Sequence, residues 1–225
     1  MNDTPQDEHR AAARAVAHKH LEVGDPLGWF EDLYSSANEN ASTIPWADLK
    51  PNPNLIDWLD RHQCAGPGKA LKIGCGLGDD AEELTRRGFK TTAFDISGSA
   101  IAWSHKRYPQ SSVSYVVADL LCAPVEWQAK FDLVLESYTL QVLPPELRAD
   151  AVRCIASFVA PGGTLLVIAR GREPSEPAGK MPWPLTNDDL LLFETHGLNR
   201  ASFEDYMDNE DPPVRRFRAT YRRQK

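Results

Sequence analysis

The chain has 225 residues, 42% hydrophobic and 25% charged, with a formal net charge of −7. That length suits one soluble domain able to bury its core without staples, and the acidic balance argues against a general nucleic-acid or anionic-membrane partner. The four cysteines (Cys64, Cys75, Cys122, Cys154) show no C-x-x-C spacing, so no zinc or redox pattern and no metal is expected.

No leader or apolar run of about 18 residues is evident, and a cytoplasmic location is expected. Residues 1–24 open polar and become Ala-rich over His9 to Leu21, a predicted helix. Residues 25–53 read as irregular and carry Trp29, Phe30, Tyr34 and Trp46 with prolines at 45, 51 and 53 among them. These aromatics read either as core packing or as a lid whose ring faces attract a cationic ligand, at about 0.5–2 kcal/mol each. The expected organisation is an N-terminal helix and aromatic lid over 1–50, ahead of one domain over 51–225. Asn54 to His62 reads as a helix packing Leu55, Trp58 and Leu59.

Ala70 to Asp80 is an apolar run that breaks into Gly74, Gly76 and Gly78 and then two acids. It predicts a buried parallel strand, a glycine turn and a helix over Asp79 to Gly88 with acids in its first turn. A dinucleotide fingerprint needs a third glycine where Asp79 stands, with a pyrophosphate on the helix N-terminus. Asp79 and Asp80 would repel a pyrophosphate and tolerate a cation, so a phosphate-free cationic adenosine such as S-adenosylmethionine (SAM) is expected. Cys75, in the turn, reads as a packing residue.

Phe89 to Phe94 predicts a second strand ending at Asp95, some 20 residues past the first glycine. That is the place of a ribose-reading acid, although Asp95 also reads as a cap for the segment from Ser97. A helix over Ser99 to Tyr108 and a strand over Ser112 to Val117 follow, then Asp119, either an adenine-amino acceptor or part of a surface turn. The strand Phe131 to Leu135 runs into Glu136-Ser137-Tyr138-Thr139-Leu140-Gln141, which should face cofactor and substrate, because ligands bind at strand carboxyl ends. Pro144 to Phe158 is a helix, and Pro161-Gly162-Gly163 turns into a fifth strand, Thr164 to Ile168. A long loop from Arg170 to Leu185 contains Trp183. Thr186 caps a helix through Thr195. Leu198 to Met207 and Val214 to Tyr221 close the chain as two strands, the second with an Arg-rich end read as a solvated edge. The expected fold is α/β: a three-layer Rossmann-like sheet of seven strands, parallel with a final antiparallel hairpin strand, and helices on both faces.

Through Gly74-Cys75-Gly76-Leu77-Gly78, Asp95-Ile96-Ser97, Ala118-Asp119-Leu120 and Pro161-Gly162-Gly163, residues 50 to 222 resemble the class I SAM-dependent methyltransferases. The resemblance implies that Gly74, Gly76 and Gly78 support the methionine end, that Asp95 holds the ribose and that Asp119 reads adenine. Trp46, Cys75, Asp80, Ile96, Leu120 and Glu136 complete the expected cofactor contacts. Trp29, Tyr34, Tyr138, Arg170 and Trp183 are expected at the acceptor, with Tyr138 and Gln141 as candidate catalytic residues. The N-terminal aromatic segment, Pro45-Trp46 and the Gly76-to-Asp80 turn look like the thiopurine, thiol and halide methyltransferase group. Lys72 stands where many methyltransferases carry an acid near the methionine ammonium, so either Asp79 or Asp80 takes that contact or the methionine end is held differently.

The expected function is methyl transfer to a small-molecule acceptor, a thiol or other soft nucleophile, by a monomer or homodimer. Transfer to oxygen or nitrogen, SAM binding without catalysis, and an NAD-dependent reductase remain as alternatives.

Overall fold

In the computed structural model, residues 5–225 are described, with side chains from Glu8 onward. Residues 1–4, the start of the expected N-terminal segment, lie outside the described residues. Strands β1 (Lys69–Ile73), β2 (Lys90–Asp95), β3 (Ser114–Val117), β4 (Phe131–Ser137), β5 (Val159–Arg170), β6 (Leu198–Met207) and β7 (Arg215–Arg223) form one sheet in the order β3-β2-β1-β4-β5-β7-β6. β1 to β5 pair in parallel, and β7 runs antiparallel between β5 and β6.

Helices cover both faces, as the alternation of buried residues along β1 and β4 requires. Leu71, Ile73 and Val134 pack on one face with Ala151, Val152 and Ile155 of α6 (Pro145–Phe158). Ala70, Leu133 and Leu135 pack on the other with Leu55, Trp58 and Leu59 of α3 (Pro53–Arg61) and Leu84 of α4 (Asp79–Arg86). A strand buried on both faces reads as a continuous apolar run. α5 (Gly98–Arg107) lies over β2 and β3 through Ile101, Ala93 and Tyr115. A short α7 (Asn187–Leu191) is held by a reciprocal cap between Thr186 and Asp189.

Two expectations are corrected. The region over 25–53 contains a helix, α2 (Trp29–Ser36), that buries Trp29, Leu33 and Tyr34. Its Trp29–Leu33 and Phe30–Tyr34 spacings are helical, but the flanking glycines and prolines masked them. The Arg-rich end is no solvated edge: β6 takes the edge, and Arg216 and Arg218 are 3% and 2% exposed. They alternate with Phe217, Ala219 and Tyr221, so the two sets face opposite sides of the sheet.

The N-terminal segment packs as a layer of its own. Ala13 and Ala17 of α1 (Pro5–Glu22) join Trp29, Leu33, Tyr34, Leu77, Trp103 and Met181 in one apolar cluster. His20 bridges the end of α1 to Asp25 at 2.9 Å and to Asp32 of α2 at 2.8 Å. Its hydrogen bonds to these carboxylates raise its pKa, and the bond to His20 lowers that of Asp25. A raised imidazole stabilises the fold below its unfolded pKa and loses that effect as pH rises through the folded one; a depressed carboxylate does the reverse. The tie is therefore complete between ordinary carboxylate and imidazole pKa values. Amide exchange in α1 is expected to quicken as pH rises past neutrality, beyond the intrinsic rate, and His20→Gln is expected to remove that pH dependence.

Candidate functional site

The loops after β1, β2, β3 and β4 and the end of β5 meet in one cavity of about 1330 Å³. It lies at the carboxyl ends of the parallel strands, beside the point where the strand order reverses between β1 and β4.

The glycine turn forms its floor. Gly74 and Gly76 have φ of +55° and +51°. A Cβ on Gly74 would stand 2.5 Å from Thr139 Oγ1, and one on Gly76 would stand 2.9 Å from the Tyr34 hydroxyl. Gly78 serves differently from expectation: it does not line the cavity but caps α4 at φ +93°, where a Cβ would meet the Tyr115 hydroxyl at 2.4 Å. Asp95 ends β2 and accepts from the Gly76 amide at 2.9 Å and the Ser97 amide at 3.1 Å. Burial pushes its pKa up against those amide bonds, and each oxygen keeps a lone pair for a ligand. Asp119, Ile96 and Leu120 line the same end, with Asp119 oriented by the Leu121 amide at 2.8 Å. Cys75 lines the floor as a buried thiol.

The two acids after the turn are not a free pair. Asp79 takes a bidentate contact from Arg107 at 2.7 and 2.8 Å and a bond from the Tyr108 hydroxyl, so its charge is spent within the protein. Asp80 accepts from the Asn52 amide at 2.8 Å and the Ser137 hydroxyl at 3.0 Å, and lies 4.0 Å from the Lys72 ammonium. Lys72 is turned down onto the carbonyls of Ile73 and Gly74. Of the two acids, Asp80 alone remains available to a ligand ammonium. The exclusion of a pyrophosphate by two unpaired acids is thus corrected, because buried counter-ions neutralise most of that charge.

Glu136 is also corrected. It is 0% exposed and does not line the cavity. Its Oε1 accepts the amides of Thr139 and Leu140 at 2.7 and 3.0 Å, and burial pushes its pKa up to about 7. Glu136 therefore shapes the Thr139 turn against which Gly74 packs.

Over the glycine floor, Trp46 and Tyr34 line the cavity as a joined pair, with Trp46 Nε1 donating to the Tyr34 hydroxyl at 2.7 Å. Tyr34, expected at the acceptor, thus stands over Gly76. Trp29 is buried behind the pair, and Trp183 packs with the N-terminal layer; neither lines the cavity. At the other end lie Tyr138, Arg170 and Gln141. Tyr138 adopts φ +64°, an uncommon conformation for a bulky residue. Its hydroxyl takes a bond from Asn54 at 3.2 Å, and Arg216 lies over its ring at 5.0 Å. Gln141 is committed to holding the Arg170 backbone amide at 2.7 Å. That assigns it a structural part rather than the catalytic one expected.

Sequence reading missed Glu31. It accepts from the Ser97 hydroxyl at 2.7 Å and from the Ser99 amide and hydroxyl at 3.0 and 2.5 Å, bolting α2 to the loop after Asp95. Burial raises its pKa, but the Ser99 and Ser97 bonds outweigh it and the net direction is down. Nothing local in the sequence pairs Glu31 with serines 66 and 68 residues away. Glu31→Ala is expected to loosen the lid and weaken SAM binding about tenfold, the scale of one charge-assisted hydrogen bond; calorimetry checks this.

The sheet is Rossmann-like, with a glycine floor and an acid at each of the next two strand ends facing one cavity. Residues 70–163 match the family model of a methyltransferase domain. The chain is 27% identical over 136 residues to a ubiquinone biosynthesis O-methyltransferase of Stutzerimonas stutzeri, covering 57% of each chain. It is 25% identical to a 2-heptyl-1-hydroxyquinolin-4(1H)-one methyltransferase of Mycobacteroides abscessus, covering 72% of each. The chain thus spans little more than half the length of the ubiquinone-pathway relatives. Its fold matches the Burkholderia thailandensis 1,6-didemethyltoxoflavin N1-methyltransferase solved with S-adenosylhomocysteine, with TM-score 0.67 and 16% identity over 100% of this chain and 92% of that one. Residues 70–163 thus match a methyltransferase domain, and the fold is one shared with solved methyltransferases.

Proposed function

We propose that this protein transfers a methyl group from SAM to a small-molecule acceptor. The reading is carried by one cavity lined at one end by the glycine floor, Asp95 and Asp119 and at the other by Tyr138 and Arg170. Its volume of about 1330 Å³ exceeds the roughly 300–1,000 Å³ of a single-ligand pocket, which favours two ligands side by side.

The open glycine cradle and the spare lone pairs of Asp95 and Asp119 fit an adenosine, and Asp80 fits an ammonium at the methionine end. When bound, SAM supplies an electrophilic methyl on a sulfonium, which leaves as a neutral thioether carrying the bond's electron pair. The chain's part is to hold the two ligands in line about 3–3.5 Å apart and to keep water out with Trp46, Tyr34 and Met181. The cavity's lining also includes Asp205, Asp208, Glu210 and Asp211, of which Asp205 is bonded to Arg215 and Asp208 and Glu210 to Arg216. Glu136 is sealed behind the loop, Asp208 is bonded to Arg216 at 2.5 Å, and burial pushes the Tyr138 phenol pKa up. That favours a nucleophile that ionises unaided, a thiol above all, with acidic aromatic hydroxyls and amines as the next candidates.

Release of S-adenosylhomocysteine is to be measured with thiols, phenols and amines, beside calorimetry with SAM and NADH. SAM binding with turnover of a thiol or an acidic phenol is expected. Tight SAM binding with no release from any acceptor would assign the chain to non-catalytic SAM binding.

A further inference from the structure

We propose that the acceptor carries an oxyanion, a carboxylate or phosphate, bound by the Arg170 guanidinium at the end of β5. This rests on the reading of the cavity as a methyltransferase site and names the acceptor class for it.

Arg170 lines the cavity, partly buried, and its side chain has no hydrogen-bond or ion-pair partner among the described residues. Its position is fixed through the backbone, by Gln141 Oε1 on its amide and by the Leu185 amide on its carbonyl at 2.9 Å. Burial lowers its pKa, and the positive charges of Arg216 and Arg10 lower it further.

The neighbouring acids are already engaged. Asp208 and Glu210 hold Arg216, while Glu204 and Asp57 hold Arg218. A partly buried guanidinium that faces the charges of Arg216 and Arg10, with Glu210 acting on it from a distance and no carboxylate bonded to it, is costly to keep. An anionic ligand there would relieve that cost, and the planar fork of arginine fits carboxylate and phosphate in bidentate fashion. Arg10 and Arg14 of α1 also line the cavity, as do Asp205, Asp208, Glu210 and Asp211. Tyr138 adjoins the Arg170 end and offers a ring against which a flat acceptor would rest.

The test is calorimetric titration of benzoate, phenyl phosphate and neutral benzamide into the protein loaded with S-adenosylhomocysteine, and into the free protein. At least one of the two anions is expected to bind tenfold or more tighter than benzamide; the stronger of them identifies the group. Arg170→Gln is expected to erase the difference while leaving S-adenosylhomocysteine affinity within twofold, and Arg170→Lys to keep part of it. Equal binding of anions and amide by the wild type, or an anion preference that survives Arg170→Gln, overturns the subsite. Failure of S-adenosylhomocysteine to bind would instead strike the methyltransferase reading, and the free-protein titration would still decide the anion site.

Discussion

Asp95→Ala is expected to weaken SAM binding by about 1.5–3 kcal/mol, the scale of a lost hydrogen bond to a charged group, or roughly ten- to 150-fold in Kd. The side chain ends β2, faces the cavity and is held rigid by the Gly76 and Ser97 amides. Its orientation is thus settled before the ligand arrives, and little ordering cost is met on binding. The substitution also strips those two amides of their acceptor, at about 1–3 kcal/mol for each that is left unsatisfied. A thermal melt of the ligand-free variant measures that loss separately from calorimetric affinity. Asp95→Asn keeps the shape but turns an amide donor toward one of the backbone amides, so it is expected to bind poorly as well. Unchanged affinity in both variants would remove Asp95 from the cofactor site.

Arg218→Met is expected to cost about 3 kcal/mol of folding stability, the lower end of the range for breaking a buried ion pair. Arg218 bonds Glu204 at 2.8 and 2.7 Å, Asp57 at 2.8 Å and the Asn54 carbonyl at 2.8 Å, which ties β7 to β6 and to the start of α3. The arginine is buried, but Asp57 and Glu204 keep 43% and 32% exposure and regain water once it is gone, which holds the cost down. Arg222→Met, two alternations along the same strand but exposed, is expected to change stability by less than about 0.5 kcal/mol. Urea unfolding with an unchanged m-value reads both. Equal effects at the two positions would show that Arg218 does not anchor the sheet. The loss should also reach the site, because Asn54, at the start of α3, bonds Tyr138 and receives the Tyr206 hydroxyl at 2.6 Å.

The sheet and the glycine floor of the cavity were legible because they rest on short-range rules. An apolar run bounded by glycine is a buried parallel strand, and Gly74 and Gly76 stand where the backbone turns to positive φ. Asp95 and Asp119 end successive strands, so their placement at one edge followed from strand order alone. What the sequence hid was pairing across distance. The charge on Asp79 looked free until Arg107 of α5 folded over it, and Glu136 looked like a pocket acid until the Thr139 turn closed on it. Likewise, alternating arginines read as a wet edge until β7 was placed between β5 and β6. A carboxylate's effective charge, and the face a side chain shows to a ligand, depend on neighbours brought together from remote parts of the chain. Local periodicity determines elements and their order; only tertiary packing decides which charges remain to meet a ligand, and here it leaves Asp80 and Asp95 at one end of the cavity and Arg170 at the other.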